Sequence, residues 1–519
     1  MEKCLHTEGK KQSAEIDFLP GEYWYGGAVN DGYLFPLSAS DEYEIDIDTN
    51  DTYCQINPVY LSSEGRYLWL DGGKIRFGGG KIVPETKKYE LCSAGSCLKD
   101  AALAAAKKYY RADGTLPDAK AFQAPQFCTW MALGENQSEE KILEYAKKIL
   151  AMGIQPGVLI LDDGWQKDYG DWRFTEKRFR DPVGMMRRLK EMGFKVMLWI
   201  VPYISPKTAA YGELLKNDAL IRDADGKVYM AHWWKAESAV LDLTTKPAQN
   251  WLEAELERIR EEYGADGFKM DGGDAMYLPK NYPLANLQNK LWIDSFSGLR
   301  EGRACYQLGG KGIIQRLADK AHLWGVETAR SPDGETYLKY GLSTVMPQML
   351  TQGITGYLYG CPDMVGGGLL PDLAGKNLDA ELVLRSCAVC SLMPMMQFSL
   401  DVWDLKEYDA GEVCRKFVAE REKFTEYIME LAEHASRTGE PIVRYMEYVY
   451  PHAGFEKVTD QMMLGDRYMI ASVTEAGMRK KEIVFPKGRW KNWYNGKVYE
   501  QGRAEISCPL DEIPLFEKI

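Results

Sequence analysis

The sequence predicts an α/β protein: a (β/α)8 TIM barrel over residues 116–435, an N-terminal β-sandwich-like domain over residues 1–115 and a small C-terminal β domain over residues 436–519. Three observations carry this expectation. Between residues 122 and 405 the chain repeats one unit, an amphipathic helix, a glycine and a short apolar run that ends in polar residues, as parallel strands with crossover helices require. On either side the pattern changes to short alternating segments broken by Gly, Asp and Asn, which reads as antiparallel sheet. No glycine-rich phosphate turn follows the first strand of the repeat, so a closed barrel fits better than an open doubly wound sheet.

Tyr43–Ile47, Arg66–Leu70 and Lys74–Phe77 alternate as strands, with Asp71–Gly73 as a turn. A helix over Leu98–Tyr110 leads to Asp113, Gly114 and Pro117, a domain boundary. Phe127–Trp130 is the first apolar strand of the repeat. Ile142, Leu143, Ala146, Ile149 and Leu150 then mark one face of a helix over Glu139–Leu150, with Gly153 ending it before the buried strand Val158–Leu161. Asp181 and Pro182 start the next helix and Gly193 stops it, ahead of Val196–Val201. Pro247 sits in the first turn of a helix running to Tyr263, followed by Gly264 and the strand ending at Asp271. Alternation returns in Ile442–Tyr450, Arg467–Val473, Glu482–Phe485 and Glu505–Cys508.

Composition excludes several classes. Of 519 residues, 45% are hydrophobic and 27% charged, which is globular, and 64 Lys+Arg against 76 Asp+Glu give a net charge of −12 with no basic run of five or more. A phosphate backbone would be repelled, so nucleic acid is not an expected partner. No stretch reaches the ~18 apolar residues of a membrane helix. The N-terminus has no apolar signal core. The 11 cysteines are odd in number and lack a framework spacing, which suits a reducing compartment and a cytoplasmic location. Cys387 and Cys390 fall in an apolar helix and read as core. The five histidines (6, 232, 322, 434 and 452) have no metal-binding spacing, and Gly309, Gly310 and Lys311 lack the rest of a phosphate loop. No metal and no cofactor is expected.

In a barrel of this type the chemistry sits at the C-terminal ends of the strands. Those ends carry Trp130, Asp162, Asp163, Trp165, Trp199, Lys269, Asp271 and Asp363. Paired carboxylates beside aromatic platforms suit glycoside hydrolysis, in which one group attacks or activates water and the other protonates the leaving oxygen. The alternative is that these carboxylates cap helices or pair with Arg and Lys across the barrel mouth.

Several runs in order resemble glycoside hydrolase family 31, and within it the α-galactosidase-like branch: Leu161–Trp165, Trp172–Pro182, Gly193–Pro202, Trp233–Trp234 with Leu241–Thr244, and Gly267–Asp271. Trp24–Gly27, Cys361–Gly367, Met393–Ser399, Pro441–Arg444 and Pro486–Trp490 extend the resemblance over nearly the whole chain. It implies a retaining exo-α-glycosidase of small oligosaccharides or glycosides, with Asp271 as nucleophile. It implies that Asp162 reads the outer hydroxyls of the sugar, with Asp163 beside it either sharing that role or structural. Trp199, Trp234, Trp165 and Trp130 would line the pocket and Arg303 bind sugar. Asp363 would support the site or cap the turn at Gly366–Gly368. For the acid/base, Asp319 lies 16 residues after Arg303 and precedes Trp324, which matches a family tryptophan; Asp333 is the second candidate. Choosing Asp319 makes the residues around Asp333 an inserted loop. Two departures stand out: Gly272–Asp274 replaces the usual Ala-Gly-Glu, and Gln397–Ser399 replaces the glucosidases' Arg-Asn-His. The second favours galactose over glucose. An α-glucosidase, an α-xylosidase or an inactive carbohydrate-binding protein are the alternatives, and a homo-oligomer is compatible with the sequence.

Overall fold

The computed structural model describes residues 3–13, 15–48, 55–234, 236–280, 282–330, 336–369 and 378–519. Its centre is a sheet of eight parallel strands: β1 (Gln126–Cys128), β2 (Val158–Leu161), β3 (Lys195–Ile200), β4 (Gly267–Met270), β5 (Leu299–Gly302), β6 (Ile314–Arg316), β7 (Gly360–Cys361) and β8 (Gln397–Phe398). Each pairs with the next from β1 to β7, and β8 pairs with β1. The gap between β7 and β8 is bridged just past the strand end, where Val365 N–H donates to the Gln397 carbonyl at 2.9 Å. The sheet is a nearly closed barrel.

The helices around it start and stop as the sequence directs. Ser138 caps α1 (Glu139–Ala151), which buries Ile142, Leu143, Ala146 and Ile149 against the barrel. The Asp181 carboxylate accepts from the Gly184 N–H at 2.9 Å, and Pro182 opens α2 (Pro182–Glu191), where a missing N–H costs nothing. Helix α3 (Lys246–Tyr263) ends at Gly264, whose φ of +68° is the left-handed C-terminal turn that glycine adopts without strain. The ring continues with α4 (Ala285–Asp294), α5 (Val345–Ile354), α6 (Ala380–Ser391) and α7 (Ala410–Glu422).

One crossover has no helix. Between β5 and β6 the chain instead runs out to the N-terminal domain, where Cys305–Tyr306 pair in parallel with Gln55–Ile56. The Gln55 amide donates to the carbonyls of Arg303 at 2.8 Å and Arg316 at 2.6 Å, fixing the ends of both barrel strands. The eight N-terminal strands, with Cys305–Tyr306 added at one edge, form one hydrogen-bonded nine-stranded sheet around its own core. The C-terminal domain is a six-stranded antiparallel sheet. The strand expected over Ile442–Tyr450 stops at Tyr445, where the chain turns into a helical turn (Met446–Val449) that places Met446 in the C-terminal core. Cys387 and Cys390 are buried thiols in α6. Cys92, opposite Cys4 in the sheet register, is disulfide-bonded, which departs from the thiols expected of scattered cysteines. No helix among the described residues is long and apolar enough to cross a membrane.

Candidate active site

The C-terminal ends of β1 to β7 open onto a cavity of about 270 Å³, lined by Trp130, Asp162, Asp163, Trp199, Trp234, Lys269, Asp271, Arg303 and Asp319 among others. Nine of the eleven residues expected at the site therefore converge on one space.

Asp271 follows β4 directly, and its backbone N–H still bonds across to β3. Its side chain is 16% exposed, and both oxygens are held. Oδ1 accepts from Arg303 Nε at 2.9 Å and from the Gly272 N–H at 2.8 Å, and Oδ2 accepts from Trp199 Nε1 at 3.1 Å. Burial alone would raise the pKa of this carboxyl. The charges of Arg303, Lys269 and Arg316 and the Trp199 hydrogen bond outweigh it and hold the group well below the ordinary carboxylate range. Arg303 is fixed in turn by two parallel bonds to Asp274, at 2.8 and 2.6 Å.

Asp162 ends β2 and is buried. Its Oδ2 takes Lys269 Nζ at 2.6 Å and the Cys128 thiol at 3.0 Å, while Oδ1 accepts from the Asp163 N–H at 2.8 Å. The ion pair of Lys269 is thus with Asp162. Asp163 also reaches the cavity, and Gln166 and Tyr169 orient its oxygens.

Asp319 lies three residues past β6, 36% exposed, with Oδ1 at 2.6 Å from Arg316 Nη1. That same nitrogen meets Asp363 Oδ1 at 2.6 Å, and Arg316 Nε lies 3.3 Å from Glu301. Arg316 is fully buried, and sequence reasoning did not single it or Glu301 out; the sign was polar residues ending both β5 and β6. The buried Glu301 carboxyl is pushed up by burial despite Arg316 and Lys269, and accepts a hydrogen bond from Gln397.

Two expected residues do not line the cavity. Trp165 is fully buried and points back into the fold, packing on Phe174 and donating Nε1 to the Trp199 carbonyl at 2.8 Å. It positions Trp199 and touches no pocket space. Asp363 is also buried behind the site, where it holds Arg316 and accepts from the Lys320 N–H at 2.6 Å. Trp324 lies outside the cavity and donates to Asp379. Asp333 lies outside the described residues.

Trp234 is 46% exposed at φ +47°, a left-handed conformation rare for a large side chain, and meets Trp130 edge to face at 5.5 Å. Trp199 stacks on Trp233 at 6.1 Å. Among the described residues no group of three or more His, Cys, Asp or Glu could hold a metal ion. The arrangement can present a buried, ionised carboxylate and a more exposed one to the same bound molecule, with aromatic walls on either side.

Comparison with known proteins bears on the family and the fold. The model of the glycosyl hydrolases family 31 TIM-barrel domain matches residues 119–310, and that of the family 31 C-terminal domain matches residues 439–518. The myogenesis-regulating glycosidase of Mus musculus is 29% identical over 461 residues, covering 84% of this chain and 62% of its own. The α-xylosidase XylQ of Lactiplantibacillus pentosus is 23% identical over 497 residues, covering 88% of this chain and 62% of its own. Among solved structures, the family 31 dextranase of Flavobacterium johnsoniae superposes with a TM-score of 0.83 at 19% identity, over 98% of this chain and 66% of that one, which is a likeness of fold. The chain spans about half to two thirds of the length of such relatives. Two domain matches, in the order and places the structure shows, establish that this chain belongs to glycosyl hydrolase family 31.

Proposed function

We propose that the protein is a retaining exo-α-glycosidase that removes terminal α-linked galactose from small glycosides. The observation that carries this reading is Asp271, held ionised with both oxygens oriented, in the same cavity as the more exposed Asp319. In the first step an Asp271 oxygen bonds the anomeric carbon as the glycosidic bond breaks, and Asp319 gives its proton to the departing oxygen. In the second, Asp319 takes a proton from water, whose oxygen bonds the anomeric carbon and releases Asp271. Asp162, buried and charge-paired, would accept from the outer hydroxyls of the sugar, where a fixed acceptor discriminates hydroxyl orientation strongly.

The preference for galactose is supported by the end of β8. Family glucosidases carry a histidine there that contacts the sugar. Here Gln397 is turned to Glu301 and Ser399 accepts from the Met131 N–H, and neither residue lines the cavity. Turnover of matched nitrophenyl α-glycosides tests both parts. The α-galactoside is expected to have the higher kcat/KM, and a higher value for the α-glucoside would replace galactose with glucose in this reading. Asp271→Asn keeps the shape and removes the attacking charge, so turnover should fall by about 10³ or more. A loss of less than tenfold would sink the nucleophile assignment.

A further inference from the structure

The cavity has two unlike parts. Asp162, Lys269, Asp271 and Arg303 form its buried part, and Trp234, Tyr277, Tyr337, Leu338, Tyr340 and Leu369 wall the part nearer solvent. Three of those six come from a single hairpin, Val326–Arg330 paired with Thr336–Tyr340, which belongs to no larger sheet.

The hairpin is rooted in the segment that begins with Asp319. Ala321 N–H bonds the Tyr340 carbonyl at 2.8 Å, Gly341 N–H the Gly325 carbonyl at 2.8 Å and Leu342 N–H the Leu323 carbonyl at 2.9 Å. It therefore stands on the side from which Asp319 would protonate the glycosidic oxygen, where the group attached to that oxygen must lie. An exposed two-stranded ribbon ordinarily turns polar residues to water. This one leaves Tyr337 38% and Leu338 40% exposed, and both line the cavity. Apolar side chains held in water beside a polar pocket mark a ligand contact. A sugar leaving group would need polar partners for its hydroxyls. This wall is mainly Leu338, Leu369 and ring faces, its polar groups being the tyrosine hydroxyls and the Lys339 ammonium at the end of a long aliphatic stem.

We propose that the hairpin wall is a leaving-group subsite selective for apolar aglycones, alkyl or aryl alcohols, over sugars. The proposal rests on the glycosidase reading above and names the substrate class of that site. It is tested with the methyl and hexyl α-glycosides of the preferred sugar and a disaccharide of the same sugar. Methanol and hexanol are nearly equal leaving groups, so their ratio reports contact with the chain. The hexyl glycoside should have a kcat/KM at least tenfold above both others. Tyr337→Ser combined with Leu338→Ser should bring the hexyl-to-methyl ratio below about threefold, and Tyr337→Leu with Leu338→Met should restore it, which a misfolded hairpin would not. A wild-type ratio near one, a disaccharide that outperforms the hexyl glycoside, or a serine variant that keeps the ratio would each overturn the proposal. If those results come with turnover that Asp271→Asn abolishes, the glycosidase reading stands and only the subsite falls. If no α-glycoside is turned over, both fall.

Discussion

Both carboxylate oxygens of Asp271 are engaged by the protein itself, and the strongest partner is Arg303. The depressed pKa fixes a sign. A carboxyl held below its unfolded value stabilises the fold above that value, and the contribution is lost as pH falls through the folded pKa. In activity, the acid limb due to Asp271 should lie well below the ordinary carboxylate range. Arg303→Met removes the largest opposing charge and leaves burial to raise the group, so the acid limb of kcat/KM should move upward by at least one pH unit. Asp274 loses its two bonds to Arg303 in that variant, and Asp274→Asn made alongside removes its buried charge. An acid limb that does not move would show that Arg303 does not set the charge state of Asp271. For Asp319, the leaving group decides the outcome. Asp319→Ala should nearly abolish cleavage of alkyl glycosides, while the first step on an activated aryl glycoside survives and added azide yields the glycosyl azide. If Asp333→Ala gives this behaviour and Asp319→Ala does not, the acid/base is in the loop.

At the scale of elements, the strand that leads into Asp271 is held by a glycine. A Cβ at Gly267 would lie 1.9 Å from the Leu299 carbonyl oxygen of β5. Because that atom is backbone, only separation of β4 from β5 could relieve the clash. Gly267→Ala should therefore lower stability by about 1–3 kcal/mol and also disturb Asp271, visible as a lower denaturation midpoint together with reduced kcat. An unchanged midpoint would mean that the two strands can part freely. The sequence shows Gly267 as the start of an apolar run but not the strand beside it, because β5 is far along the chain. The same limit explains the rest of the site. Residues that end the first four strands were legible from position alone, since a polar residue closing a buried run has few other uses. Arg316 and Glu301 were not, because what distinguishes them is a contact with each other and with Asp319 across neighbouring strands. Trp165 was misread for the reverse reason: three residues from Asp162 in sequence, it turns away into the core. The first three barrel helices were legible from their caps and apolar faces. The missing helix between β5 and β6 was not, since its place is taken by a sheet from the other end of the chain.

For the whole molecule, the N- and C-terminal domains meet at a cluster of charges remote from the cavity. Glu447 is fully buried there, with Oε1 accepting the His452 N–H at 2.9 Å and Oε2 without a hydrogen-bond partner among the described residues. Glu64 of the N-terminal sheet lies 3.7 Å from His452, whose ring also bonds the Ser96 carbonyl, and the Tyr25 hydroxyl donates to the carbonyl of Glu456. Burial pushes the Glu447 carboxyl up to about 7, with Glu456 and Glu64 adding to the shift against the His452 N–H. Here the sign is opposite to that of Asp271. A carboxyl raised in the folded state favours folding while it keeps its proton, and that contribution disappears as pH rises through the folded pKa. Between pH 5 and pH 8 the joint should lose on the order of 1–2 kcal/mol, allowing for partial screening of the shift. Glu447→Gln keeps the acceptor for His452 and has no proton to lose. Its denaturation midpoint should match the wild type near pH 5 and exceed it at pH 8, whereas His452 titrates in both proteins and largely cancels. A gap of the same size at both pH values would place the stability change in packing and remove Glu447 as the titrating group. The barrel carries the candidate chemistry, and its acid limit is expected to follow a depressed carboxylate. The alkaline side of the molecule's stability is expected to be set instead at the seam around Glu447, none of whose charges lines the cavity.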